Sequence, residues 1–138
     1  MNGFVTTQRY ARVLDLPLSF SQTELAAGKS IRISRLRLER FQRLELRSLT
    51  VAVIAILTPG VVPAFLNTAL SLCSVGLYRG TIITGPLAYA AFTNTPSTIN
   101  PFSSCVVETP GDYNVIVSNN TNNTDLSVIA TGSVKLYY

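Results

Sequence analysis

Between Ile31 and Leu57 the chain alternates apolar and polar positions with a period of two. Ile31 and Ile33 flank Arg32, and after a slip of one residue at Ser34-Arg35, Leu36 and Leu38 continue on the shifted phase. Such alternation turns one side of an extended segment toward a core and the other toward water. The next apolar positions, Leu36, Leu38, Phe41, Leu44, Leu46 and Leu49, step by 2, 3, 3, 2 and 3. A helix rich in Leu, Arg and Glu is locally competitive over this stretch. At 100° per residue, however, the six positions spread over more than half of a helical wheel, which is a poor stripe. Two strands, a turn at Glu39 to Gln42 and two slips account for them better. The second strand runs from Leu44 to Leu57, alternating first with Glu45 and Arg47 and then continuing through Leu49, Val51, Val53 and Ala55 into a fully buried end.

Upstream, Phe4 to Phe20 suits an extended N-terminal arm or an edge strand, because Pro17 has no N–H to give to a central ladder. Ala26-Ala27-Gly28-Lys29 is a turn. Downstream, Thr58 to Pro63 is a loop, and Phe65 to Cys73 has weak helical spacing. Leu70, Leu72, Val75, Leu77 and Tyr78 also fit a strand turning at Arg79-Gly80. Thr81 to Thr84 is strand-like, Gly85-Pro86 breaks it, and Leu87 to Phe92 resumes; Thr93 to Asn100 reads as a long polar surface loop. After the Pro110-Gly111 turn, Tyr113, Val115 and Val117 alternate with Asn114, Ile116 and Ser118. Asn119 to Asp125 is a polar connection, and Leu126 to Ile129 with Ser133 to Tyr137 returns as strand, with a bulge or bend at Gly132. These last segments predict a terminal β-meander. Seven to nine short strands punctuated by turns predict an all-β fold, an antiparallel β-sandwich, jelly-roll-like, with residues 1–24 as an N-terminal arm or edge strand and 25–138 as the sandwich domain.

Composition narrows the chemistry. Among the 138 residues there is no His, which removes the usual general base at neutral pH and the commonest metal ligand together. Ser-His and Cys-His nucleophiles are therefore excluded within this chain. Cys73 and Cys105 are too few for a structural zinc site, which takes four ligands, and they read as free and partly buried thiols, with a bridge across the sandwich as the alternative. The opening Met1 to Arg9 lacks a basic region followed by an apolar run, so no signal peptide is expected. Ser48 to Tyr78 carries no charge over 31 residues, but Thr58-Pro59-Gly60 and Pro63 interrupt its apolar part, and a buried strand is expected there, not a membrane span.

The carboxylates Asp15, Glu24, Glu39, Glu45, Glu108, Asp112 and Asp125 offer no clear catalytic pair; Glu39 and Glu45 lie among arginines and are expected to pair with them. The polar connection Asn119 to Asp125 has only one carboxylate and no EF-hand spacing, so it is an exposed hairpin link or a subunit contact rather than a calcium loop. Its two Asn-x-Thr triplets are idle without secretion. No glycine-rich phosphate loop is present. No cofactor, no metal and no catalytic residue is expected.

Charge is the most uneven feature. Thirteen of the eighteen charged side chains precede residue 48, nine basic and four acidic. Arg32, Arg35, Arg37, Arg40, Arg43 and Arg47 fall within 16 residues with no Lys among them. Guanidinium groups form bidentate contacts with carboxylates and phosphates and keep their charge when partly buried. Thin aromatic interleaving, with Phe41 alone inside the run, and the offset from Glu39 and Glu45 argue against nucleic acid and for an acidic protein surface. Together with Arg9 and Arg12, these arginines are the expected partner-binding set, placed on neighbouring strands at one side of the domain. Beyond Arg47, Ser, Thr and Asn supply 29 of 91 residues, a weakly self-repelling surface suited to symmetric assembly.

The N-terminal arm, the segment Arg43-Leu44-Glu45-Leu46-Arg47-Ser48-Leu49-Thr50-Val51 and the tail Pro110 to Asn119 together resemble the small β-sandwich structural proteins of tailed-phage virions, in particular capsid decoration (cement) proteins. The resemblance implies a non-enzymatic protein of the virion, a homo-oligomer with a trimer favoured, that clamps capsid or other shell subunits through its arm and Arg-rich face. The competing expectations are a carbohydrate- or receptor-binding sandwich in which Tyr78, Tyr89 and Tyr113 stack on sugars, and a nucleic-acid-binding domain using Arg32 to Arg47.

Overall fold

A computed structural model of the chain describes residues 10–55, 72–80, 85–92, 97–121 and 124–138. Among these described residues, nine strands follow in order: β1 (Val13–Leu25), β2 (Ser30–Leu38), β3 (Arg43–Ala55), β4 (Cys73–Arg79), β5 (Ala88–Ala91), β6 (Ser97–Ile99), β7 (Val106–Val107), β8 (Gly111–Asn119) and β9 (Leu126–Tyr137). The described residues include no helix. The strands make two antiparallel sheets, one ordered β1-β9-β3-β6 with β7 also on β3, the other β2-β8-β4-β5. The protein is all-β, as the alternation predicts, with a sandwich core drawn from both sheets.

The pairing is nested. β1 pairs with β9, β2 with β8, β3 with β6 and β4 with β5. Successive pairs lie in alternate sheets, so the chain resembles one long hairpin wound over on itself. Many of its inward positions are valine or leucine: Leu49, Val51 and Val53 of β3 face the same core as Val75 and Leu77 of β4, Val115 and Val117 of β8, and Val128 of β9. Each such side chain contributes about 1.5–3 kcal/mol by leaving water.

Two bulges explain the irregular spacing. β2 loses register with β8 between Arg32 and Ser34, so Ile33 is the extra residue, one position before the slip read from sequence. β3 loses register with β9 between Glu45 and Ser48, placing Leu46 and Arg47 opposite Val134 alone. The three-residue steps Ile33 to Leu36 and Leu46 to Leu49 are these bulges, since each restores an inward leucine after the extra residue. The turn at Glu39 to Gln42 separates β2 from β3 as expected. Gly132, opposite Leu49 beside the second bulge, has φ +123°, and a Cβ there would stand 2.0 Å from the Ser48 carbonyl oxygen. Only glycine lets β9 approach β3 so closely.

Several expectations change. β8 and β9 belong to different sheets and do not form a meander; the connection between them crosses the sandwich. The end of β3 is not buried on both sides, since Val51 and Val53 point inward while Ile54 is 51% exposed. Residues 97–99, expected in a loop, form β6 against Val51 to Val53. β1 is an edge strand paired along its length with β9, and Pro17 sits there opposite Ser133. Residues 1–9 of the expected arm, the loop 58–63, the 65–71 stretch and the strand 81–84 lie outside the described residues.

Candidate interaction surface

The arginine run divides at the turn. β2 is an edge strand of the four-stranded sheet, and β3 lies inside the five-stranded one, so the six arginines do not share neighbouring strands. The chain crosses between sheets at Glu39 to Gln42, and the run follows it. On β2, the registers Arg32 to Ile116, Arg35 to Asn114 and Arg37 to Asp112 put the three arginines on one outward face. Arg32 Nη1 reaches Asn114 Oδ1 at 3.5 Å. Arg37 donates from Nε to Glu39 at 2.8 Å and from Nη1 to Asp112 at 3.3 Å. The Glu39 hydrogen bond and the charges of Glu39 and Asp112 raise the Arg37 pKa further above its already high value. Arg35 forms no ion pair among the described residues.

On β3 the arrangement is tighter. The Glu45 carboxylate, 6% exposed, receives Arg43 Nη2 at 3.3 Å and Arg47 Nη2 at 3.0 Å. Tyr137 completes the group: its hydroxyl hydrogen-bonds Glu45, which, with burial and the carboxylate charge, raises the tyrosine pKa. The Arg43 guanidinium lies 5.3 Å from the Tyr137 ring centroid. These two arginines, neighbours of Glu45 on β3, flank a buried carboxylate, and removing Glu45 leaves their charges crowded without a counterion. Arg12 is bound into the edge of the fold by backbone bonds in both directions with Tyr138, and Arg9 lies outside the described residues.

Arg40 and Phe41 stand apart from both groups. They occupy the tip of the turn, which Gln42 Oε1 pins by accepting from the Glu39 N–H at 2.8 Å. Phe41 has φ +63°, the only non-glycine residue with positive φ among those described, and is 83% exposed. Left-handed backbone costs an L-residue about 1–2 kcal/mol, and a phenyl ring in water adds a hydrophobic penalty. Arg40 covers the ring at 5.3 Å from its centroid. Left-handed backbone and an unburied aromatic side chain thus coincide at one site. Sequence pattern counted Phe41 among the apolar positions without showing that the turn would hold it outward.

A cleft of about 400 Å³ lies beside β5 and the segment leading to β7, lined by Leu87, Tyr89, Pro101, Phe102, Cys105 and Val106 among others. A second hollow continues it past Glu108 and Arg79. Leu87 and Tyr89 are each 57% exposed. Two separated segments, 87–89 and 101–106, build this cleft, so no local sequence signal announced it. Glu108 accepts from the Tyr10 hydroxyl at 3.2 Å, and Arg79 donates to the Pro110 carbonyl.

Other candidates become structural. Asn119, expected in an exposed link, is fully buried, and Thr121 and Thr124 are buried with it. Asn119 Nδ2 donates to the carbonyls of Leu25 at 2.9 Å and Thr124 at 2.8 Å, while its Oδ1 accepts from the Thr121 N–H at 3.2 Å and hydroxyl at 2.7 Å. The first Asn-x-Thr triplet thus has its amide engaged inside the fold. Cys73 donates to the same Oδ1 at 3.7 Å, and burial pushes its thiol up to about 11. Both cysteines are free, and burial raises Cys105 as well. Tyr113 is buried with its hydroxyl on the Thr109 carbonyl, and Tyr78 is buried across Gly76, so neither is available to stack on a sugar. Among the described residues no three His, Cys, Asp or Glu side chains converge on a metal position. No helix there is long and apolar enough to cross a membrane. No protein-family model matches the chain, and no curated protein is significantly similar to it in sequence.

Proposed function

We propose that the chain is a non-enzymatic structural protein of a symmetric protein shell, a capsid decoration (cement) protein of a virion, acting as a homo-oligomer with a trimer favoured. The observation that carries this reading is the nested strand order, β1-β9-β3-β6 against β2-β8-β4-β5. That order is what a jelly roll of two wound Greek keys requires, and jelly rolls serve chiefly as capsid domains, lectins and cupins. A cupin-type metal centre draws on histidines, and this chain has none. A lectin reading loses two of its three candidate tyrosines to the interior. A shell protein needs neither.

Two surfaces support the reading. The outward side of β3 and β9 beyond the Glu45 cluster is a charge-free sheet of Thr50, Ala52, Ile54, Ser127, Ile129 and Thr131, which another protein can cover without stranding a charge. The outward arginines of β2 offer the complement to an acidic shell surface, with Arg35 free of ion pairs among the described residues. Light scattering on the purified chain, followed by co-sedimentation with capsids from the same source, tests the proposal. Oligomers that pellet with the shells are expected. A monomer that stays in the supernatant overturns it, and retention on DNA that falls steeply with salt turns the reading toward nucleic acid.

A further inference from the structure

We infer that the subunits of this assembly join head to tail, the Arg40-Phe41 tip of one copy seating in the Leu87-Tyr89-Val106 cleft of the next. The inference rests on the assembly reading and names its contact. The tip offers a strained, exposed phenyl ring with one cation beside it. The cleft offers the matching concavity, about 400 Å³ with exposed Leu87, Tyr89 and Val106 on its walls. Where it continues, Glu108 supplies a carboxylate that has no ion pair among the described residues, its bonded partner being the neutral Tyr10 hydroxyl. The cation nearest to it, Arg79, is held on the Pro110 carbonyl. The phenyl ring would lie on the exposed Leu87, Tyr89 and Val106 side chains, with Arg40 turned toward Glu108.

The two patches share no residue. β2, from which the tip departs, and β5, which borders the cleft, are opposite edges of one sheet, about 14 Å apart at three strand spacings of about 4.8 Å. A contact between different patches is heterologous, and it closes into a ring when the rotation allows, a trimer among the possibilities. One buried phenyl removes about 150–250 Å² from water, against about 800 Å² per partner in a stable interface. The tip is thus an anchor, and closure, by giving every subunit two contacts, makes the ring hold.

Sedimentation velocity on the full chain, with far-UV circular dichroism as a folding control, tests this through complementary variants. Phe41→Ala keeps its cleft and loses its tip; Leu87→Arg keeps its tip and blocks its cleft, at a position already exposed. Each alone should run as a folded monomer, with self-association weakened about tenfold or more. Mixed in equal amounts they should form nothing larger than a dimer, because only one intact contact remains and no ring can close. Arg40→Glu and Glu108→Arg should each weaken assembly, and the double variant should restore it. A wild-type chain that is monomeric overturns the assembly reading and this inference with it. A wild-type oligomer that survives Phe41→Ala and Leu87→Arg overturns the inference alone, as does a mixture of the two variants that forms species larger than a dimer.

Discussion

Two of the connections that carry the chain from the four-stranded sheet to the five-stranded one treat their side chains in opposite ways. Between β8 and β9, Asn119, Thr121 and Thr124 turn inward and use their polar groups on one another and on the Leu25 carbonyl. Between β2 and β3, the turn holds Arg40 and Phe41 outward on backbone that a phenylalanine adopts at a cost. In composition the first looks like a solvated loop and the second like a continuation of a charged strand. The first is part of the core's framework and the second is a displayed surface. A connection that satisfies its own groups stabilises the fold; one that leaves strain and apolar area unrelieved is the surface on which the proposed assembly contact rests.

Replacing Asn119 by Ala should show the largest effect. It leaves the Leu25 carbonyl and the Thr121 N–H without the Asn119 amide in a buried site, while the Thr124 carbonyl keeps the Thr121 hydroxyl; at about 1–3 kcal/mol per unsatisfied group, a loss of about 4 kcal/mol is expected in urea unfolding. A loss below about 1 kcal/mol would mean that the connection is not the framework described. Cys73, bonded to Asn119, adds a pH signature. Its thiol is raised from the model-peptide range to about 11, so the folded state holds the proton where the unfolded chain releases it. Stability is therefore full below about pH 8.5 and falls as pH rises toward 11, by about 2 kcal/mol at the upper end. Cys73→Ala should flatten that part of the profile, which the difference between the two urea series would reveal. Thr121→Val, which removes one hydroxyl and keeps the shape, should cost about 1–2 kcal/mol.

The smallest effect should have the opposite sign. Phe41→Gly removes the left-handed penalty and the exposed ring, and should stabilise the isolated subunit by about 1 kcal/mol, with some offset from the greater freedom of unfolded glycine. Thermal unfolding at dilution checks this. Destabilisation by the substitution would show that the ring packs within its own subunit, and the contrast between the two connections would fail.

The strands were legible because their inward positions must be apolar at every second residue. Ile33, Leu36, Leu46 and Leu49 even carried the two bulges as steps of three. The Arg37-Glu39 and Glu45-Arg47 pairs followed from proximity along the chain. Partnership between sheets was not legible: β8 and β9 pair with distant strands, and an alternating run does not say which neighbour it will take. That is why a meander was expected where the chain crosses the sandwich. Asn119 read as loop for a related reason, since a buried amide needs carbonyls such as Leu25 that lie far away in sequence. The cleft depends on Leu87, Pro101 and Val106 meeting, which only the closed fold brings about. The arginines were visible, but their division between two sheets was not, because the turn that separates them also changes layers.

The most direct test of the account is the sedimentation of the wild-type chain across a wide range of concentration, beside Phe41→Gly under the same conditions. The account predicts that the wild type shifts with concentration from monomer to a closed oligomer, of about three times the monomer mass if the favoured trimer forms, while the more stable glycine variant remains a monomer throughout. A wild-type chain that stays monomeric at every concentration, or a Phe41→Gly chain that assembles as well as the wild type, would contradict it.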